Sequence, residues 1–170
     1  MGYDMYCEGG SHPRTEQTKA IFDAAGGWQQ DDKAAARKLY EAVMVAERNE
    51  GTYFRLNIWG MGEYRVNMLD LGMMVDGASP APEDWNEVGT EPVPDRDSGL
   101  GLLPAYKFGS NDGWLVNKAE IEGALEVYDG LSSSEIDLVT GGPSDEGFAY
   151  WVAWIGFLRH TATHGGFRVW

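Results

Sequence analysis

His160 and His164 stand four residues apart in HTATH, a spacing that sets two imidazoles on one face of a helix. Two imidazoles one turn apart can share a metal ion, provided another segment brings at least one more donor. The zincin pattern HEXXH is not met, because Thr161 occupies the place of its glutamate. Asp145 and Glu146 lie several turns away on the same predicted helix, so the third donor has to come from elsewhere, and acids are plentiful. The competing explanation is structural: cations in the last turn of a helix are favoured by its dipole. Cys7 is the sole thiol, and His12 is the histidine nearest to it in sequence. They could form a nucleophile and its base, although a small buried cysteine acting as an apolar side chain is the commoner arrangement. Ser132–Ser134 is explained by helix capping. With 27 acids in the chain, no carboxylate pair is singled out by its surroundings for acid–base work. No catalytic residue is assigned.

Gly60, Met61 and Gly62 follow the extended run YFRLNIW and precede a helical pattern, the context of a phosphate-binding turn. A dinucleotide fingerprint needs a third glycine three residues on, where Arg65 stands, and Glu63 would repel a phosphate at the helix start. No Walker-type GK[ST] occurs. The stretch reads as a strand-to-helix turn, and no cofactor is expected. In GSNDGWLVN, Asn111, Asp112 and Gly113 form a turn with Trp114 directly after it. Such a tryptophan is either a core residue entering the next strand or an anchor for a ligand or partner.

Charge narrows the partners. The net charge is −14. Residues 76–97 carry seven acids against Arg96, and residues 118–146 carry eight acids against Lys118, so these two segments hold −13 of it. Phosphate backbones and anionic membranes demand the opposite sign, which argues against direct nucleic-acid or membrane-surface binding. The candidate negative surface comprises Glu83, Asp84, Glu87, Glu91, Asp95 and Asp97 with Glu122, Glu126 and Asp129. It would suit a basic protein partner, or would simply be a solvated face.

These residues must be positioned by a domain. A chain of 170 residues with 43% apolar content and seven tryptophans can build one hydrophobic core, and a single domain over 1–170 is expected. One cysteine excludes an internal disulfide, and no signal-peptide pattern opens the chain, so a cytoplasmic location is the expectation. FAYWVAWIGFL, from Phe148, falls short of the roughly 20 apolar residues of a membrane span. Strands are predicted near 2–8, 52–58, 105–116 (as a hairpin) and 166–170. Helices are predicted over 13–25, 29–49, from Met61 to Gly72 with Met61, Tyr64, Met68 and Leu71 inward, and from an Asn117 cap. SSSE suggests a short helix after Ser132, and Pro143 and Ser144 precede a last helix that runs to about His164. That helix is apolar all round, so it either threads the core or lends one face to a homodimer. Residues 76–104 read as a long acidic loop. The fold class is therefore α+β: a small, mainly antiparallel sheet covered by helices, with the apolar C-terminal helix at the core.

YFRLNIWGMGEYR, YKFGSNDGWLVN and FLRHTATHGGFRV, together with the opening MGYDMY, resemble a family of small uncharacterised proteins from actinobacteria and their phages. The resemblance covers most of the chain apart from 76–104. It carries over no activity, ligand or catalytic residue, and implies a bacterial or phage cytosolic setting; for a phage product it favours a role in binding a host protein. The sequence thus favours a non-enzymatic acidic interaction protein, in its sharper form a phage-type inhibitor that imitates nucleic acid. The alternatives are a small metal- or ligand-binding enzyme around His160 and His164, or a homo-oligomeric structural component.

Overall fold

Alternating side chains build the sheet. In β1 (Gly2–Cys7) Met5 and Cys7 are buried, and in β2 (Tyr53–Asn57) Phe54 and Leu56 are buried between exposed Arg55 and Asn57. The structure, a computed structural model, describes residues 2–9, 20, 21, 23, 24, 35, 37–39, 42, 43, 51–77 and 98–170. Within the two expected N-terminal helices the described positions are helical, and Leu39 and Val43 are buried. The predicted acidic residues of 83–97, and His12, lie outside the described residues.

Four strands form an antiparallel sheet in the order β2-β1-β6-β5, with β5 at Trp114–Asn117 and β6 at Gly166–Val169. Met5 faces Phe54 on one side and Val169 on the other, while Cys7 and Val116 both oppose Phe167. On the reverse face Tyr6 packs on Tyr53, whose hydroxyl donates to Asp4. Burial, then the Asp4 carboxylate, push the Tyr53 phenol far above its ordinary value.

Helix α1 (Ile58–Asp70) starts three residues earlier than its apolar spacing suggests. Asn57 ends the strand and its side chain accepts from the Gly60 amide at 2.7 Å, so the helix begins at once. Gly60 and Gly62 therefore lie inside the helix rather than in a turn before it. The inward stripe Met61, Tyr64, Met68 and Leu71 is buried as expected. The two-stranded parallel pair of β3 (Met74–Val75) and β4 (Leu103–Pro104) closes the ends of the acidic segment.

The expected hairpin over 105–116 does not form. Ala105–Phe108 is a 3-10 turn, and β5 pairs with β6 instead. The turn is what lets Lys107 reach inward, where its Nζ donates to the Leu115 carbonyl at 2.6 Å and to both Glu120 oxygens at 2.8 and 2.9 Å. Glu120 belongs to α2 (Lys118–Gly130), which carries the expected Asn117–Glu120 capping box. A second box, Ser132–Glu135, opens α3 (Ser133–Thr140).

Pro143 and Ser144 precede the last helix as expected, in a 3-10 turn Gly142–Ser144, but the helix itself, α4 (Phe148–Ala162), starts only at Phe148 and ends short of His164, so Asp145 and Glu146 are not on it. Trp154 meets Phe54 at 5.3 Å and Phe167 at 5.9 Å between ring centroids, and Phe157 meets Phe167 at 5.1 Å. Trp151 reaches Tyr64 of α1 and Tyr128 of α2. The helix thus lies between the sheet and the other helices. Its burial is not complete, because Tyr150 and Val152 are 44% and 52% exposed near its start. Among the described residues no helix is long and apolar enough to cross a membrane.

Candidate metal centre

Register brings the chemistry together. Cys7 opposes Phe167 across the β1–β6 ladder, and Phe167 carries Phe157 of α4 on its inner side. The turn of α4 beyond Phe157 therefore stands over the end of β1. His160 lies in that last turn, and His164 lies just past the helix end in the turn that enters β6. One donor atom each from Cys7, His160 and His164 lies within 4.8 Å of the other two.

The backbone around Cys7 is tied on two sides. The Cys7 amide donates to the Thr52 carbonyl at 3.0 Å, and the Glu8 amide donates to the Gly166 carbonyl at 2.8 Å. Gly166 has φ +115, and a Cβ there would stand 2.1 Å from the Val116 oxygen, so only glycine lets β6 start at this point. Gly51 has φ +71, and a Cβ on it would stand 2.7 Å from Cγ of His160. The imidazole of His160 lies directly over that bare backbone.

The two rings are stacked, 4.2 Å between centroids and 20° from parallel. His164 Nδ1 lies 2.9 Å from the His160 carbonyl oxygen, which can only accept. Nδ1 is accordingly assigned the proton, and the neutral ring keeps its lone pair on Nε2. Thr163 Oγ1 donates to the same carbonyl at 2.7 Å and sits 2.9 Å from His164 Nδ1. A backbone carbonyl fixing the tautomer of an imidazole is the usual outer support of a metal-binding histidine. Burial pushes the His160 imidazole below its ordinary value, and the neighbouring His164 imidazole adds to the shift whenever it is itself protonated. Both effects favour the neutral ring, the form that ligates metal. The Cys7 Sγ donates to the Glu8 carbonyl at 3.2 Å and is largely buried.

The donors are close to, though not at, coordination distance. A tetrahedral ion with bonds of about 2.0–2.3 Å holds its ligands roughly 3.3–3.7 Å apart, so the three must converge by about 1 Å.

The third candidate donor beside the two histidines is thus a thiol, where the sequence reading looked to an acid from another segment. Asp145 and Glu146 precede α4 rather than riding on it, and Asp145 accepts from the Gly147 amide at 2.7 Å. Glu8, next to the thiol, is engaged by Arg168 Nε at 2.6 Å. The signal that sequence reasoning missed is the fall of Cys7 at a strand end opposite the C-terminal strand, which is visible only in the register.

The other predicted residues lie elsewhere. Glu122, Glu126 and Asp129 are on the exposed side of α2, where Glu122 pairs with Lys118 at 3.5 Å and Asp129 with Arg159. Asn111 Nδ2 donates to the Gly2 carbonyl at 2.9 Å, and Asp112 is exposed in the same turn. Trp114 is buried with its ring 5.1 Å from that of Tyr106, so it serves the core and is not an accessible anchor. Comparison of the chain with protein-family models, with curated proteins and with solved structures gives no match.

Proposed function

We propose that this protein binds a borderline-soft transition metal ion, zinc(II) foremost, through Cys7, His160 and His164. The observation that carries this reading is the convergence of one thiol and two imidazoles, from opposite ends of the chain, to within 4.8 Å. A thiolate with two imidazoles suits zinc, copper, cobalt or nickel, and discriminates against magnesium and calcium, which prefer oxygen ligands. Binding replaces the thiol proton by the ion, so metal uptake releases a proton. It also ties the first strand to the end of the last helix.

Zinc titration followed by metal analysis tests the reading. About one zinc per chain should be retained by the parent protein and lost in Cys7→Ser, His160→Asn and His164→Asn, each checked for folding by circular dichroism. At a free zinc concentration 100 times Kd, binding to the native state alone raises stability by about 2.7 kcal/mol, a rise in Tm absent from the three variants. Retention of equal zinc by folded Cys7→Ser would remove the thiol from the centre and the proposal with it.

A second reading, an acidic surface for a basic protein partner, draws support from α3. That helix has no fully buried residue, and its Leu138 is 86% exposed near Glu135 and Asp137. An apolar side chain set among acids would combine contact with charge steering. A partner captured at low salt should be released at moderate salt and lost on charge reversal of Glu122, Glu126 and Asp129. Salt-independent capture would refute the electrostatic part.

A further inference from the structure

Helix α1 turns a second, unpartnered stripe to the outside. Its inward stripe of Met61, Tyr64, Met68 and Leu71 is buried in the main core. With about 3.6 residues per turn, Trp59, Glu63, Val66 and Asp70 fall within roughly 60° of one another on the opposite side. All four are exposed, Trp59 by 85% and Val66 by 55%, and Ile58 beside them is exposed as well. Single apolar side chains on a surface are ordinary, but several gathered on one helix face mark a place of contact. Among the described residues Trp59 makes no ring contact, and neither Glu63 nor Asp70 enters an ion pair.

Gly62 supplies an independent observation. It lies inside the helix, where glycine costs stability relative to alanine. Its φ is not positive, and a Cβ added to it would meet nothing within 4 Å. Neither the backbone nor the packing of this chain therefore calls for a glycine at this position. Ile58, Trp59 and Val66 stand three or four residues away and surround it on the helix surface. The bare backbone among them lets another element approach closely.

Charge selects the occupant. Glu63 and Asp70 alternate with the apolar residues of the stripe, and no lysine or arginine occurs over residues 66–95. Arg65, the one base in the helix, is half-buried and stands off the stripe. A second copy would set these acids against their own kind on a chain of net charge −14. A basic amphipathic helix instead meets Trp59, Gly62 and Val66 with apolar side chains, and Glu63 and Asp70 with lysine or arginine.

We infer that the outer face of α1 docks a basic amphipathic helix of another protein, with Trp59 as the anchor and Gly62 as the point of closest approach. The sign of the partner's charge rests on the second reading above, and the face and its anchor are additional to it. The metal centre plays no part.

A labelled leucine–lysine peptide of about 18 residues, with its leucines at helical spacing, is the probe. A scrambled peptide of the same composition is the control, and fluorescence anisotropy reads both. The parent should bind the probe one to one and more tightly than the control. Trp59→Ala should weaken that binding by about 30-fold or more, the range of an anchor residue. Its urea midpoint should stay at the parent value, since an exposed indole supports no core packing. Gly62→Ala should act in two directions, raising the urea midpoint by about 0.25–0.5 M while weakening the peptide. Binding that salt abolishes but both variants leave intact would overturn the docking face and spare the acidic surface. Binding of neither peptide at low salt would overturn the basic-partner reading as well. A parent dimer in light scattering that Trp59→Ala dissolves would give the face to a second copy and overturn the proposal.

Discussion

Replacing Lys107 by methionine should be among the most damaging single changes in this protein. Lys107 and Glu120 are both fully buried, and the ammonium contributes three hydrogen bonds, one to the Leu115 carbonyl and two to the carboxylate. Glu120 also accepts from the Ser98 amide at 3.2 Å and the Asn117 amide at 3.0 Å, so its charge is shared between the cation and two backbone donors. In Lys107→Met the volume is kept but the carboxylate stays buried without its cation, which costs about 3–5 kcal/mol. The exposed pair Lys118–Glu122 on the same helix is the internal reference, since Lys118→Ala should cost no more than about 0.5 kcal/mol. With a urea m-value near 2 kcal/mol/M, the midpoint should fall by roughly 1.5–2.5 M in the first variant and by about 0.25 M or less in the second. Urea unfolding by far-ultraviolet circular dichroism at neutral pH reads both. Equal midpoints for the two variants would refute the claim that burial, rather than the ion pair as such, sets the magnitude. Because Lys107 and Glu120 join the 98–117 segment to α2, their loss should also loosen β5, the strand that pairs with β6.

Gly51→Ala should lower zinc affinity by roughly 10–100-fold through displacement of the His160 ring, the range typical for outer supports of a metal ligand, and competition with a chromogenic chelator reads it. An affinity equal to that of the parent would show that His160 is not held by Gly51. Gly166→Ala combines a left-handed backbone with a clash against the Val116 carbonyl, and should cost at least about 2 kcal/mol in urea unfolding. The Arg159 guanidinium bonded to Asp129 holds that carboxyl below its ordinary range, so the pair stabilises the fold above the unfolded-state pKa near 4. Its contribution, at most about 1 kcal/mol for so exposed a pair, should disappear as pH falls through the lowered folded value. The stability difference between parent and Asp129→Asn should therefore close below about pH 4 and remain open at pH 7, and a difference that grows in acid would contradict the assignment.

Local chemistry accounts for most of what could be read before any fold was known. The capping boxes Asn117–Glu120 and Ser132–Glu135 close within three residues, and each opens a helix at the expected place. The stripe Met61, Tyr64, Met68 and Leu71 and the alternation of Phe54 and Leu56 follow from the repeats of helix and strand, and every one of these side chains is buried. The spacing of His160 and His164 is legible for the same reason. The sequence thus determined the α+β class, the first two strands and the last, and two of the three residues of the candidate centre. Tertiary structure alone decided that Ala105–Phe108 turns inward, because Lys107 has to meet Glu120 and Leu115 across a buried space. It alone decided that β5 pairs with the C-terminal strand, and that Cys7, aligned with Phe167, sits under the two histidines. Those outcomes depend on pairing between chain segments far apart, where nothing in the intervening residues records which register buries the most apolar surface.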